Sequence, residues 1–326
     1  MTRAVLTLGI LLMLAGCSAG NPAPEAAEQT VSVNAEPGTE DAVRAEGSEA
    51  AGEERAVHTD GAEESGTENA SRAEEQQRSG TENWEETAGT EQYRNFTVDN
   101  VLHVPDLGEI HYCVYIPDSY DGSRPYSLYL TLPGYQGLYF QGAGENIRTE
   151  DFAFAAMDYN DEMIILAPQL EDWGETSADK TIALTEYYLN QYNIDPNRVY
   201  INGYSGGGET LSLVLDKRPK LYTAALMCSS RWDGGYQAVT DARTPVYFVI
   251  GESDEYYGSE PFIQAYEEIR NRYEENGLSE EEIDQLAVLD VKPASYFAEG
   301  GVSNQHGGGT RLFSRDDSVM GWLFGE

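Results

Sequence analysis

The stretch VYINGYSGGGETLSL, residues 199–213, decides the fold. Its first residues are β-branched and aromatic, which is typical of a strand, and the part after the glycines has apolar residues at helical spacing. Gly203, Ser205 and Gly207 form a G-x-S-x-G pattern where the strand turns into the helix. This context predicts a serine hydroxyl exposed above the end of a strand, with helix N–H groups behind it.

Two other interpretations of the glycine-rich stretch are weaker. A phosphate-binding loop would require Lys-Ser or Lys-Thr after the glycines, and neither follows them here. A purely structural turn is the remaining alternative, because glycine and serine are both common in turns. The rest of the chain therefore has to supply partners for a nucleophilic serine.

Strand-like and helical segments alternate from about residue 96 onward. Runs rich in strand-forming residues predict strands at 109–117, 126–134, 162–169, 198–205, 223–230, 245–253 and 293–300. Apolar periodicity and end signals predict helices at 177–193, 205–220, 258–277 and 315–324. This alternation indicates an α/β domain with a mostly parallel central sheet. The near-continuous apolar strands predict helices on both faces of that sheet.

The N-terminus has the pattern of an export signal. Arg3 precedes a largely apolar run at residues 4–16, which is short for a membrane span and typical of a signal peptide. LAGC, residues 14–17, resembles a bacterial lipobox, so we expect cleavage before Cys17 and lipidation of that cysteine. An ordinary secretory signal with an incidental cysteine is the alternative. Residues 1–17 are predicted to be a lipoprotein signal, and the protein to be extracytoplasmic and lipid-anchored to the bacterial cell membrane.

The next segment, residues 18–95, is predicted to be a disordered acidic linker. It is rich in Glu, Ala, Gly, Ser and Thr and has no apolar periodicity, so it cannot bury enough surface to offset its chain entropy. Residues 96–326 form the predicted folded domain.

The net charge of −37 disfavours nucleic acid and anionic lipid headgroups as partners. Cys113 and Cys228 lack metal-ligand spacing, and the sequence does not decide whether they pair.

A nucleophilic serine needs a base, and the sequence offers one candidate. The triad order Ser, acid, His along the chain requires a histidine after Ser205, and His306 in the glycine-rich stretch GVSNQHGGGT is the only one. We expect His306 to lie in a loop. The acid is expected after the strand at 245–253, where we choose Asp254 over Glu255, the runner-up, and Glu252.

Backbone and aromatic groups complete the predicted site. The N–H groups of Tyr135 and Gly206 are the candidate oxyanion donors, because they follow two strand ends. Aromatic residues in the surrounding loops are expected to form a platform for sugar or phenolic groups. The substrate-binding candidates are Tyr204, Trp232, Trp173 and Tyr139.

These motifs together resemble the α/β-hydrolase superfamily over about residues 105–326. The motifs are NIDPNRVYINGYSGGGETLSLVL, APQLEDW, PGYQG, GESDE and QHGGG. Within the superfamily they are similar to esterase D, feruloyl-esterase and polyhydroxybutyrate-depolymerase-like secreted esterases, and to the prolyl-oligopeptidase-type catalytic domain. One departure is Pro133-Gly134, where members usually carry His-Gly in the oxyanion turn.

The resemblance implies a serine hydrolase with the triad Ser205, Asp254 and His306, and with no metal or organic cofactor. We therefore expect an exported enzyme that cleaves short acyl or aryl carboxylic esters, including esters carried on a polysaccharide. A prolyl-oligopeptidase-type serine peptidase is the first alternative. A non-catalytic surface-binding lipoprotein is the second.

Overall fold

The computed structural model describes Thr81 and residues 83–325. The predicted signal with Cys17, and most of the predicted linker, lie outside the described residues. The strands are β1 (Glu85–Thr87), β2 (Glu91–Tyr93), β3 (Phe96–Val104), β4 (Gly108–Tyr115), β5 (Tyr126–Leu132), β6 (Met163–Pro168), β7 (Ile194–Tyr204), β8 (Ala224–Cys228), β9 (Val246–Gly251) and β10 (Ala287–Lys292). The α-helices are α1 (Glu145–Thr149), α2 (Phe152–Ala155), α3 (Glu175–Gln191), α4 (Gly206–Lys217), α5 (Gln237–Ala242), α6 (Glu260–Glu275), α7 (Glu280–Leu286), α8 (Ala294–Glu299), α9 (Gln305–Phe313) and α10 (Asp317–Phe324). Short 3-10 turns lie at Tyr135–Gly137, Tyr139–Gln141, Ala156–Asp158 and Pro219–Leu221.

The described strands form one mixed sheet. Its order is β1-β3-β4-β6-β5-β7-β8-β9-β10, and β2 pairs with β3 beside β1. The strands β6, β5, β7, β8, β9 and β10 run parallel to one another. The pairings among β1, β2, β3 and β4, and the pairing of β4 with β6, are antiparallel. The prediction of a mostly parallel sheet is confirmed. Parallel strands all end at one edge, so the loops that follow β5, β7 and β9 meet there.

Two apolar cores lie on opposite faces of the sheet. Every residue of β5, β6, β8 and β9 is buried, as the continuous apolar runs predict. Alternate residues along a strand point into opposite cores. Leu128 and Leu130 of β5 pack with α3 and α4, whereas Tyr129 packs on the side of α2 and α10. Helices therefore cover both faces, which explains why neither face of these strands is polar.

The sheet begins earlier in the chain than the predicted domain boundary at residue 96. Strands β1 and β2 lie inside the segment predicted to be a linker, and both pair antiparallel with β3. Their residues are mostly exposed and polar, so they lack the apolar pattern by which we placed the boundary. Strand β3 was also not predicted. Its alternating burial makes it half-polar, which is weaker as a signal than a continuous apolar run.

The predicted strand at 293–300 is wrong. Those residues form helix α8, and the edge strand β10 directly precedes it. Pro293 at the N-cap of α8 starts the helix, and within α8 only Phe297 is buried. Strand β10 is only partly buried because it has a neighbour on one side alone, so its sequence AVLDVK lacks a strong apolar signal.

Cys113 on β4 and Cys228 on β8 are both buried and form no disulfide with each other. Burial raises the pKa of both thiols above the ordinary range. Two inert, neutral thiols are the result.

In the part of the chain that the structure describes, no helix is both long and apolar enough to cross a bilayer.

Candidate active site

Ser205 occupies the sharp turn between β7 and α4. Its backbone has φ 54° and ψ −126°, a conformation that residues with a side chain rarely adopt. Two contacts hold it there: its N–H donates to the carbonyl of Cys228 (3.0 Å), and its carbonyl accepts from the hydroxyl of Ser230 (2.6 Å). The turn places the serine Oγ above the end of β7, as the G-x-S-x-G pattern predicts.

The glycines of the motif are required by close approach of the backbone. A Cβ at Gly203 would lie 2.4 Å from the carbonyl oxygen of Gly207. A Cβ at Gly207 would lie 2.4 Å from the carbonyl oxygen of Leu132 on the neighbouring strand. Both gaps are far below a van der Waals contact, and backbone atoms have little room to withdraw. The two glycines therefore let helix α4 start directly against the strands.

His306 faces the serine from the start of helix α9. Its Nε2 lies 3.1 Å from Oγ of Ser205. The hydroxyl of Tyr204 donates to the His306 carbonyl (2.6 Å), and the His306 N–H donates to the carboxylate of Glu255 (2.9 Å). The loop prediction for His306 is wrong, because Asn304 caps the first turn of α9 through the Gly307 N–H. The successive glycines have low helix propensity, so the sequence does not predict a helix here.

Asp254 lies on the far side of the histidine ring. Its Oδ2 is 2.9 Å from Nδ1 of His306, and its Oδ1 accepts from the N–H groups of Tyr256 (3.0 Å) and Tyr257 (2.9 Å). Burial alone would raise the pKa of Asp254, but the bonds from His306 and these N–H groups outweigh it and lower the pKa. Asp254 is thus held as a carboxylate that can orient the imidazole.

The other two acids of the loop have different partners. Glu255 accepts from the backbone of His306, and Glu252 accepts from the N–H of Ala294 (2.8 Å). Neither therefore occupies the position beside Nδ1. Of the three candidates, the structure brings Asp254 to the histidine ring.

The two proposed oxyanion donors lie where β5 and β7 end. Gly206 is the first residue of α4, so its N–H has no acceptor within the helix. Tyr135 opens the turn after β5, and among the described residues its N–H has no acceptor either. Both residues line the same cavity as Ser205, so both remain the candidate donors to a substrate carbonyl oxygen.

The cavity over the serine has a volume of about 400 Å³. Trp173 and Tyr204, two of the predicted substrate-binding residues, line it. The ring of Trp173 covers Gly206 closely, since a Cβ there would lie 2.3 Å from the indole. The residues that line the cavity are Tyr135, Gln136, Thr149, Glu150, Trp173, Tyr204, Ser205, Gly206, Tyr256, Tyr257, His306, Gly307 and Thr310.

Trp232 and Tyr139, the other two predicted substrate-binding residues, do not line this cavity. The Trp232 side chain is 9 % exposed and packs in the core, with its ring 5.4 Å from that of Tyr236. Tyr139 stacks on His111 with their ring centres 3.9 Å apart. Sequence proximity to a strand end cannot tell whether a loop side chain turns toward the site or back into the core.

Two acidic residues at the site were not predicted from the sequence. Glu150, after α1, is buried in the cavity wall, and no pattern in its neighbourhood marks it. Glu209, one turn into α4, accepts from the Tyr257 hydroxyl (2.5 Å). Burial, together with this bond, raises the pKa of Tyr257 well above its usual range. The ring of Tyr257 lies 5.6 Å from that of His306, so Glu209 helps to fix the cavity wall beside the histidine.

A larger groove of about 870 Å³ lies elsewhere on the surface. Arg94, Phe154, Asp158 and Tyr159 are among the residues that line it, and Arg315 pairs with Asp151 at its side. None of its lining residues belongs to the Ser205 cavity. The candidate catalytic residues Ser205 and His306 line the smaller cavity.

Comparisons with known proteins bear on the fold and on the class of enzyme. The profile of the prolyl oligopeptidase family matches residues 169–270, which include the serine turn and Asp254. No curated protein sequence matches the chain. The crystal structure of a thermostable esterase is similar, with a TM-score of 0.58 and 21 % identity, covering 71 % of this chain and 63 % of that one. This chain thus spans less than two thirds of that esterase.

Two further solved structures overlap less closely. Oligopeptidase B from Leishmania major has a TM-score of 0.46 and 14 % identity, covering 70 % of this chain and 36 % of that one. The carboxylesterase Cest-2923 from Lactobacillus plantarum has a TM-score of 0.44 and 13 % identity, covering 65 % and 83 %. The predicted fold class is confirmed: the chain has the α/β-hydrolase fold, and the prolyl oligopeptidase family match supports its being a serine hydrolase.

Proposed function

We propose that the protein is an exported esterase that cleaves carboxylic esters through Ser205, His306 and Asp254. The observation that carries the proposal is the continuous chain of contacts from Asp254 to His306 and on to Ser205, under an open cavity. A base within hydrogen-bond reach of the serine, itself oriented by a carboxylate, is the arrangement that acyl transfer requires.

Each group has a defined part in the reaction. Oγ of Ser205 attacks the ester carbonyl while Nε2 of His306 takes its proton, and Asp254 stabilises the resulting imidazolium. The N–H groups of Tyr135 and Gly206 stabilise the negative charge on the former carbonyl oxygen. The imidazolium then protonates the departing alcohol. Water, activated by His306, releases the acid from Ser205.

The cavity favours neutral esters with a ring. Its lining includes no Lys or Arg among the described residues, so an acidic substrate would find no counter-charge. Its mouth carries exposed aromatic surface: Tyr256 is 73 % and Tyr135 is 55 % exposed, and Phe140, 64 % exposed, packs on Tyr135. Exposed rings of this kind stack on phenolic or sugar rings. We therefore propose aryl esters, or short acyl esters on a sugar, as the substrate class.

A serine peptidase is the second candidate. The match of residues 169–270 to the prolyl oligopeptidase family favours a peptidase. A triad of serine, histidine and aspartate can cleave amides as well as esters. A surface-binding lipoprotein without catalysis is the third.

Purified full-length protein should be tested on p-nitrophenyl acetate and butyrate, and on a panel of peptide p-nitroanilides. We expect turnover of the esters that Ser205→Ala abolishes, and little or no release from the anilides. Anilide cleavage with slower ester turnover would favour the peptidase. Absence of turnover on both, in folded protein, would favour the binding lipoprotein.

We also propose that Cys17 anchors the protein to the membrane by lipid. The motif LAGC directly after an apolar segment motivates this proposal. In a bacterial host, the wild-type chain should fractionate with membranes and incorporate labelled palmitate, whereas Cys17→Ser should do neither. Equal labelling of both would show that the lipid is attached elsewhere.

A further inference from the structure

Glu150 is a buried carboxyl group in the catalytic cavity that the triad does not use. It follows α1, its side chain belongs to the cavity wall, and the residue is 7 % exposed. Carboxyl groups are rarely buried without a specific partner. Glu150 therefore needs an explanation beyond packing.

The partner of Glu150 is the backbone of the oxyanion turn. Its Oε1 accepts from the N–H of Gly134 at 2.7 Å, and no other hydrogen bond to this carboxyl is present among the described residues. Pro133, the residue before Gly134, has no N–H, so Gly134 supplies the first N–H group after β5 and Leu132. Without an acceptor this N–H would be buried and unpaired.

Gly134 is also confined on its other side. A Cβ on Gly134 would lie 2.9 Å from Cδ1 of Tyr204 and 3.3 Å from Cβ of Ser205. The turn is thus held between the nucleophile and Glu150. The next N–H along the chain is that of Tyr135, the proposed oxyanion donor. The peptide units that carry the Gly134 and Tyr135 N–H groups are rigid planes joined at the Gly134 Cα. Because Glu150 holds the first plane and Tyr204 and Ser205 crowd this Cα, the directions in which the Tyr135 N–H can point are limited.

We propose that Glu150 is a positioning residue, which fixes the Gly134 backbone so that the Tyr135 N–H points to the carbonyl oxygen of the substrate. This inference rests on the proposed serine hydrolase function. Glu150 does not touch the reacting atoms; it acts through the turn. Its oxygen atom, and not its negative charge, carries this role.

The charge state of Glu150 is consistent with such a role. Burial raises the pKa of Glu150 to about 8, against the opposing effect of the Gly134 N–H. The titratable groups that face it are Tyr204 on β7, Tyr129 on β5 and Cys228 on β8, and all three are neutral at pH 7. An uncharged carboxyl avoids placing a negative charge beside the oxyanion that forms in the reaction.

The test compares side chains that keep or lose the oxygen in position. Glu150→Gln keeps an acceptor of the same length, Glu150→Leu keeps the volume without an acceptor, and Glu150→Asp keeps the acid but withdraws it by one methylene. The matched control is Asp151→Asn: this neighbouring carboxylate pairs with Arg315 at 2.8 Å, and its side chain does not line the Ser205 cavity.

The first measurement is the rate at which a fluorophosphonate probe labels Ser205 in the full-length chain. In this reaction the serine Oγ–P bond forms, the P–F bond breaks with loss of fluoride, and His306 takes the serine proton. The phosphoryl oxygen occupies the same position as the substrate oxyanion. Loss of one oxyanion donor typically costs about 10²- to 10³-fold in rate. We expect a smaller fall, roughly 10- to 100-fold, for Leu and Asp, and a change of less than about threefold for Gln and the control.

The second measurement is steady-state kinetics on the ester that the wild type hydrolyses. If Glu150 is a positioning residue, kcat should fall and KM should stay unchanged in Glu150→Leu and Glu150→Asp, whereas Glu150→Gln should keep the wild-type kcat. The near-UV circular dichroism and melting temperature of each variant report on folding. If Leu fails to fold, Asp provides the same comparison.

Three outcomes separate the claims. Rates within threefold of wild type for folded Leu or Asp variants would overturn the inference, as would an equal loss for Gln and Leu. Wild-type labelling without ester hydrolysis would contradict the esterase proposal and leave the positioning test intact. Failure of the wild type to be labelled would contradict both.

Discussion

Nε2 of His306 lies 3.1 Å from Oγ of Ser205, although the two residues are 101 positions apart along the chain. Ser205 is fixed by the turn from β7 to α4, and His306 by the first turn of α9. The two side chains thus rest on separate rigid elements that meet at one edge of the sheet. This relationship is the basis of the proposed chemistry.

Removal of either residue should stop catalysis. We expect Ser205→Ala and His306→Ala each to lower kcat by about 10⁴- to 10⁶-fold, because neither the nucleophile nor the base can act alone. The double variant should be little worse than either single variant. Steady-state hydrolysis of p-nitrophenyl butyrate measures this. Losses that multiply in the double variant would show that the two residues act independently.

The acids of the β9 loop should differ sharply in effect. Asp254→Asn removes the carboxylate beside Nδ1 of His306, and we expect a loss of about 10²- to 10⁴-fold in kcat. Glu255→Gln keeps an oxygen that accepts from the His306 N–H, so its loss should stay below about tenfold. Comparison of the two variants under one set of conditions decides the assignment. A larger loss for Glu255→Gln would reverse it.

Glu150 should make stability depend on pH. Its pKa is raised by burial from 4.5 to about 8, so the unfolded chain loses this proton at lower pH than the folded protein. The stabilisation is complete below pH 4.5 and is lost as pH rises toward 8, by a few kcal/mol in total. The free energy of unfolding of Glu150→Gln should not fall in this way, because glutamine does not titrate.

The melting temperature of Glu150→Gln relative to wild type should therefore increase from pH 4 to pH 8. Thermal denaturation of both proteins at several pH values measures this difference. A difference that stays constant across the range would show that Glu150 has an ordinary pKa.

The exposed ring of Tyr256 should contribute to selectivity. It lies 5.3 Å from the ring of His306 and is 73 % exposed at the mouth of the cavity. Tyr256→Ala should raise KM for an aryl ester by about 3- to 10-fold, with a smaller change for an acetyl ester, since stacking is worth roughly 1 kcal/mol. Tyr256→Phe keeps the ring and should retain the preference. Equal changes on both esters would contradict a stacking role.

Much of the site could be predicted from the sequence because its parts come directly after strand ends. The strands β5 and β9 and the last four residues of β7 are buried, and the loops after them must lie at one edge of a parallel sheet. A single histidine after Ser205 left one candidate for the base. The helical setting of His306 escaped prediction, because Gly307 to Gly309 lower helix propensity and only the cap reveals the turn.

The remaining features depend on tertiary contacts. Trp232 and Trp173 both come after strands, yet one packs into the core and the other over the serine. Glu150 sits in a short polar segment, and its burial against Gly134 arises only when α1 docks on the turn after β5. The edge strand β10 is half-buried, so its composition is not that of a central strand.

The most direct test of the central claim is the pre-steady-state release of p-nitrophenolate by the full-length protein at high p-nitrophenyl acetate. We predict a burst of one p-nitrophenolate per chain, accompanied by an acetyl adduct that peptide mass spectrometry locates on Ser205, and no burst from Ser205→Ala. Turnover with the adduct on another residue, or a burst that persists in Ser205→Ala, would contradict the account.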